Sequence, residues 1–214
     1  QLCEDVALVS CPVVLIDRLT QCGWCDAVGF DNYLGGRLAA QYLLEGGHTR
    51  IGIVTGDIAE SSAAERRRGF VDAIEQSGKH FDSSLCVEGD YRFDSGYRAA
   101  NQIIDGGATA VFCCNDVMAL GFRQRMAERG LHVTEDMQVI GYDNILKRFG
   151  LGWRMTTVEQ SVTDLAAACW GMLRKRIDVA VRAKSGTESG DARPWLSDPQ
   201  VEVLTPKLVQ AACA

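Results

Sequence analysis

The 214-residue sequence is poor in the motifs that carry most enzyme chemistry. It has no GxxxxGK[ST] loop and no GxGxxG turn between a strand and a helix, so the glycine-rich backbones that cradle nucleotide phosphates have no counterpart. A GxSxG nucleophile elbow is also missing, and the three histidines, His48, His80 and His132, stand far apart without a nucleophile or metal spacing beside them. No enzymatic activity and no cofactor are therefore expected. No apolar run approaches the roughly 18 residues that cross a bilayer, and the first residues lack the basic region and apolar core of an export signal. These absences predict a soluble cytoplasmic chain with no membrane partner. Positive charge is scarce as well: 22 Lys and Arg against 28 Asp and Glu leave a net charge of −6. A chain of that balance has no broad cationic field to gather nucleic-acid phosphates, so any contact with DNA must be made by other residues.

Hydrophobic residues make up 47% and charged residues 23%, the proportions of an ordinary globular protein long enough to bury a substantial core. The nine cysteines are an odd number, several within apolar runs, which suits buried thiols in a reducing compartment better than a disulfide framework. Cys22-Gly-Trp-Cys25 has redox or zinc spacing, but no second CxxC and no nearby His pair completes a tetrahedral site.

Apolar strands alternate with helical patterns along the chain. Strands are expected at Val13–Ile16, Val28–Phe30, Ile51–Thr55, Cys86–Gly89, Ala110–Cys114, Val139–Asn144, Thr156–Val158 and Val201–Leu204. Between them, helices begin at Asp31, near Ala63, at Asp94 and at Val117, several of them closed by glycine. A further apolar stripe runs from Val162 to Ile177, residues 183–193 read as a surface loop, and the chain beyond Pro206 reads as a loose tail. This alternation predicts an α/β fold with a doubly wound parallel sheet, or two of them.

Ligands of such sheets bind beyond the carboxyl ends of the strands, and polar clusters recur there: Asp17-Arg18, Asn115-Asp116 and Asp143-Asn144. Asp116 is placed to cap the helix starting at Val117, which leaves the functional weight on Asn115 and Asp143. In Glu65-Arg66-Arg67-Arg68, the two later arginines read as a solvated face, whereas Arg66 lies nearest the helix N-terminus and the strand end before it. Tyr91 and Trp153 are the aromatics near these ends. Asp, Asn and Arg beside an aromatic suit a polyhydroxylated ligand, since carboxylates accept from hydroxyls, guanidinium donates, and a ring packs on an apolar sugar face.

Seven motifs stand in one order from about residue 13 to about 160: Val14-Leu15-Ile16-Asp17-Arg18, Asp31-Asn32 with Gly35-Gly36, Gly47-His48-Thr49-Arg50-Ile51, Arg66 with Gly69-Phe70, Asn115 to Gly121, Val139 to Asn144, and Thr156-Thr157-Val158. In that order they resemble the effector domain of LacI-type (LacI/GalR) bacterial transcription regulators. The resemblance implies the periplasmic-binding-protein-like type I fold, two α/β subdomains with a small effector between them. It implies that Asp17, Arg66, Asn115 and Asp143 contact the effector and that Tyr91 stacks on it. The expected division is 1–57 with 158–192 as one subdomain, 58–157 with 193–206 as the other, and 207–214 as tail. It implies, further, a homodimer that passes effector binding to a helix-turn-helix headpiece on DNA. Neither that headpiece nor the leading strands of the first subdomain has a counterpart here, so the chain is expected to be N-terminally truncated and to leave apolar surface uncovered. A sugar-binding protein of a transport system shares the fold and is the alternative. The motifs do not separate sugar from purine sensors. Asp143→Ala and Arg66→Ala are both expected to abolish effector response while leaving folding largely intact.

Overall fold

The structure, a computed structural model, describes residues 9–17, 19, 25–146, 155–184, 195 and 198–211. Arg18, Cys22, Trp153 and most of the 183–193 stretch lie outside the described residues.

Two compact units emerge, one formed by residues 1–30 with 161–204, the other by 31–160 with 205–214. In the first, β1 (Val14–Ile16), β2 (Asp26–Phe30) and β8 (Val201–Leu204) form a parallel sheet of order β1-β2-β8, and the long helix α5 (Val162–Lys184) packs on it. Arg176 of α5 donates through Nε and a terminal nitrogen to the buried Asp26 carboxylate at 2.8 and 2.6 Å, and Asp26 also accepts from the Gln200 N–H. This unit leaves Ile16, Trp170, Val181, Val201 and Val203 exposed.

The second unit holds the main core. Its sheet has the order β4-β3-β5-β6-β7-β9, with β3 (Ile51–Thr55), β4 (Cys86–Glu88), β5 (Ala110–Cys113), β6 (Gln138–Asp143) and β7 (Thr157–Glu159) parallel and β9 (Lys207–Val209) at the edge. β3 and β5 are buried at every residue, as runs apolar throughout require when helices cover both faces. Helices α1 (Asn32–Glu45) and α2 (Ser61–Gln76) pack together, as do α3 (Phe93–Asp105) and α4 (Asp116–Glu128). Phe70 of α2 stacks on Phe112 of β5 at 5.3 Å, which sets α1 and α2 against the face that also carries Tyr142. Ile103 of α3 lies over Gly52 on the opposite face. The α1–α2 contact is close enough to need glycine on both helices. A Cβ at Gly36 would fall 2.0 Å from the Arg66 carbonyl oxygen, and one at Gly69 would fall 2.0 Å from that of Tyr33.

Two expectations are corrected. β3 joins the sheet of the second unit and β8 that of the first, so the divisions fall at residues 30 and 204 and not near 57 and 192, while the one at 160 lies beside the expected 158. Strand pairing decides this, and apolar runs of similar length carry no mark of their partners. The supposed tail also contains β9 (Lys207–Val209), antiparallel to β7, and the Ala211 N–H donates to Thr156 Oγ1. Backbone pairing, more than burial, holds these last residues.

Candidate functional site

Strand order reverses between β3 and β5, because the chain leaves β3 for β4 on one side and returns to β5 on the other. Such a switch point opens a crevice at the carboxyl ends of the two strands. Four of the five residues selected from the sequence stand around it, all in the second unit: Arg66 from α2, Tyr91 after β4, Asn115 after β5 and Asp143 at the end of β6. Asp17 belongs to the first unit, exposed at the end of β1 with φ +59°, its N–H donating to the Val28 carbonyl.

Arg66 lies at the bottom of this group, 7% exposed. Its Nε donates to Asn32 Oδ1 and a terminal nitrogen donates to the Cys114 carbonyl, both at 2.7 Å, while the guanidinium carbon sits 3.8 Å from the centre of the Tyr142 ring. Burial alone would weaken its hold on the proton, but the Tyr142 hydroxyl and the Asp143 carboxylate outweigh that and keep it above the ordinary arginine value. Asn32 Oδ1 also meets Gln160 Nε2 at 3.4 Å and the Tyr142 hydroxyl at 3.5 Å. Arg67 and Arg68 are exposed, as a solvated face predicts, with Arg68 paired to Glu65.

The caps differ from expectation. Asp31 does cap α1, accepting from the Leu34 N–H at 2.8 Å. At α4, however, Asn115 and not Asp116 is the cap: its Oδ1 accepts from the Met118 N–H at 2.8 Å, and its Nδ2 donates to the Tyr91 carbonyl at 2.8 Å. Local backbone chemistry thus accounts for much of Asn115, leaving one N–H and one lone pair for a ligand. Asp116 is the first helical residue, 1% exposed, and it accepts from Thr157 Oγ1 at 2.7 Å and from the Ile145 N–H at 2.9 Å. Burial raises its carboxyl above the ordinary value, against the pull of these donors.

Tyr91 takes a left-handed backbone, φ +64°, uncommon for a residue of its size. Its ring covers Gly56, where a Cβ would sit 2.0 Å from the phenol carbon Cζ. Two hydroxyls here, Thr55 Oγ1 and Tyr91 Oη, are buried without a hydrogen bond of full geometry among the described residues. Burial raises the Tyr91 phenol above its usual value, with Arg66 and the neighbouring Ser62 hydroxyl acting the other way. Asp143 and Asn144 also have positive φ, +98° and +55°, and Asn144 Nδ2 donates to Glu159 Oε1 at 2.8 Å. Paired left-handed residues aim the end of β6, and strained backbone of this kind gathers at binding sites.

The sequence reading missed Asn32 and Tyr142 as partners of Arg66, and Gln160 as the residue that meets both of them. For Arg66 the signal was present: with Gly69, Phe70 and Ala73 it falls on one helical face, and that face is buried. Nothing in the sequence marked Gln160.

Outside this group, His48 bridges Thr109 Oγ1 and Gln138 Oε1 at 3.0 Å each, a structural tie, and His80 is exposed beside Glu75. Cys25 is buried, and burial pushes the Cys114 thiol up to about 12, so it stays protonated and unreactive. Among the described residues no cluster of His, Cys, Asp and Glu could hold a metal ion, and no helix is long and apolar enough to cross a membrane.

Residues 40–192 match the periplasmic binding protein-like domain family. The HTH-type transcriptional repressor PurR of Pasteurella multocida is 37% identical over 171 residues, 79% of this chain and 51% of that protein. The repressor of the same name from Klebsiella pneumoniae strain 342 is 34% identical over 188 residues, 86% of this chain and 54% of its own length. The chain therefore spans about half the length of the curated relatives it matches. Among solved structures, a LacI family transcriptional regulator from Enterococcus faecium with bound ribose superposes with a TM-score of 0.80 at 26% identity, covering 94% of this chain and 69% of that one. The transcriptional regulator CelR in complex with cellobiose gives 0.76 at 26% identity, over 98% and 68%.

Proposed function

Because the chain belongs to the periplasmic binding protein-like domain family, among its LacI-type transcriptional regulators, we propose that it senses a small polar effector and passes occupancy on to operator affinity. The observation that carries this reading is the buried guanidinium of Arg66 at the switch point, beside the carboxylate of Asp143. A neutral polyhydroxylated molecule, a sugar, suits it: Asp143 accepts from hydroxyls, the remaining donors of Arg66 and Asn115 give to ring or hydroxyl oxygens, and Tyr91 offers a ring and a buried hydroxyl. Asp17 is assigned to the same effector by the resemblance of its motif. Ribose in one related structure and cellobiose in another support the class. The relatives quoted are transcriptional regulators, so the transport-protein reading has no support from them. No step of chemistry is assigned. The regulator acts in the cytoplasm as a homodimer, and its DNA contact is made by a helix-turn-helix headpiece other than these residues.

Calorimetric titration with ribose, cellobiose and purine bases tests the reading, with Asp143→Ala as control. A ligand present at a hundred times its dissociation constant stabilises the folded chain by about 2.7 kcal/mol, so a thermal shift must accompany the heat. Binding of one sugar by the wild type, lost in Asp143→Ala, is expected. Equal affinity of both proteins would remove Asp143 from the site, and purine binding without sugar binding would replace the ligand class.

A further inference from the structure

The side chain of Asp116 is buried, yet it does not cap its own helix, because Asn115 does. Its Oδ2 accepts from the N–H of Ile145, the residue immediately after the left-handed pair Asp143 and Asn144. Its Oδ1 accepts from Thr157 on the adjoining strand β7. Space is reserved for it: a Cβ at Gly141 would lie 2.2 Å from Oδ1. A carboxylate accepts on both oxygens and donates on neither, so it alone suits two donors converging from opposite sides. Two successive non-glycine residues with positive φ are uphill by themselves and persist when their surroundings fix them. On one side of this turn Asn144 is held by Glu159, and on the other Ile145 is held by Asp116.

We infer that Asp116 is a positioning residue which sets the turn at 143–145 and thereby the direction of the Asp143 carboxylate toward the effector. This rests on the proposed role of Asp143 as an effector contact. Asp116 itself touches no ligand. It acts through the peptide that follows the contact residue, and Thr157 anchors its other oxygen to the sheet. Replacing it by asparagine sets an N–H₂ group against one of two donors, so the turn loosens while side-chain volume is kept.

The test joins hydrogen exchange with a double-mutant cycle. In Asp116→Asn the amides of residues 143–146 are expected to exchange faster, while those of β5 are unchanged. With ribose as probe at neutral pH, Asp116→Asn should lower affinity by about tenfold, the order of one charge-assisted hydrogen bond. In an Asp143→Asn background the same change should have almost no further effect, because residues acting as a unit do not add. Were Asp116→Asn too unstable to fold, Thr157→Val, which removes only one anchor, should give a smaller rise in exchange and a smaller loss of affinity. Unchanged exchange at 143–146 would overturn the inference, as would a full additional loss in the double variant, since a merely structural residue would weaken both backgrounds alike. A wild type that binds no sugar would overturn the functional reading and the ligand-orienting role with it, while the exchange arm would still decide whether Asp116 holds the turn.

Discussion

Arg66→Ala is a test of structure as much as of binding. The sequence suggested that this change would spare the fold, on the assumption that a residue near the mouth of a site contributes little to the core. The geometry gives the opposite expectation. The guanidinium is buried and makes two charge-assisted hydrogen bonds at 2.7 Å, to Asn32 and to the Cys114 carbonyl. Each is worth about 1.5–3 kcal/mol. Its stacking 3.8 Å from the Tyr142 ring centre adds up to about 2 kcal/mol when water is excluded. These gains overlap with one another and with the desolvation of the cation. Removing one partner of a buried ionic group typically destabilises by about 3–5 kcal/mol, and that is the loss expected here. For a chain of this size it lowers the melting temperature by roughly 10 °C. The comparison is Arg67→Ala, whose side chain is exposed one residue away and whose removal should change stability by less than about 0.5 kcal/mol. Both are read by differential scanning calorimetry and by urea unfolding followed by circular dichroism. If Arg66→Ala melts with Arg67→Ala and the wild type, the guanidinium is not integrated in the core and the hydrogen-bond assignment is wrong. An effector defect in Arg66→Ala is then interpretable only beside its stability, whereas the half-buried Asp143 leaves the cleaner binding variant.

Further outcomes follow from other contacts. Asp116 has its carboxyl raised by burial, so the native state keeps a proton that the unfolded chain has already released. Its stabilising share is complete below the ordinary carboxylate value and is lost as pH rises through the raised one. The stability gap between wild type and Asp116→Asn should therefore change, to the disadvantage of the wild type, in melts taken from the ordinary carboxylate range upward; parallel curves would refute the shift. Gly36→Ala forces a methyl against the Arg66 carbonyl and should destabilise by about 1–3 kcal/mol in urea titration, as overpacking does. Gly171→Ala, within α5 and with open space around its Cα, should instead stabilise its helix by up to about 1 kcal/mol.

Much of the architecture was legible because local signals agreed. Runs such as Ala110–Cys114 and Val139–Tyr142 are apolar at every position, which only a strand covered on both faces tolerates, and the acceptor at Asp31 announced its helix. Capping at α4 was less legible, since Asn115 and Asp116 are both good caps by type and the choice depends on which residue leaves helical geometry first. Strand partners were not legible at all. β3 could have joined either sheet on its composition, and the three residues of β9 are too few to show a period. The burial of Arg66 was hidden by its neighbours: four charged residues in a row read as solvated unless their positions on the helix are separated, and only Arg66 shares a face with Phe70 and Ala73.

The Asn32 amide takes the Nε of Arg66 on the same oxygen that meets Gln160. Asn32 is the second residue after the polypeptide enters the larger unit, and Gln160 is the last before it leaves. A guanidinium drawn upward by a bound molecule must therefore either let go of that oxygen or pull on it. In either case the strain falls on residues beside two of the three junctions at which the chain passes between the units, through a lever only one side chain long.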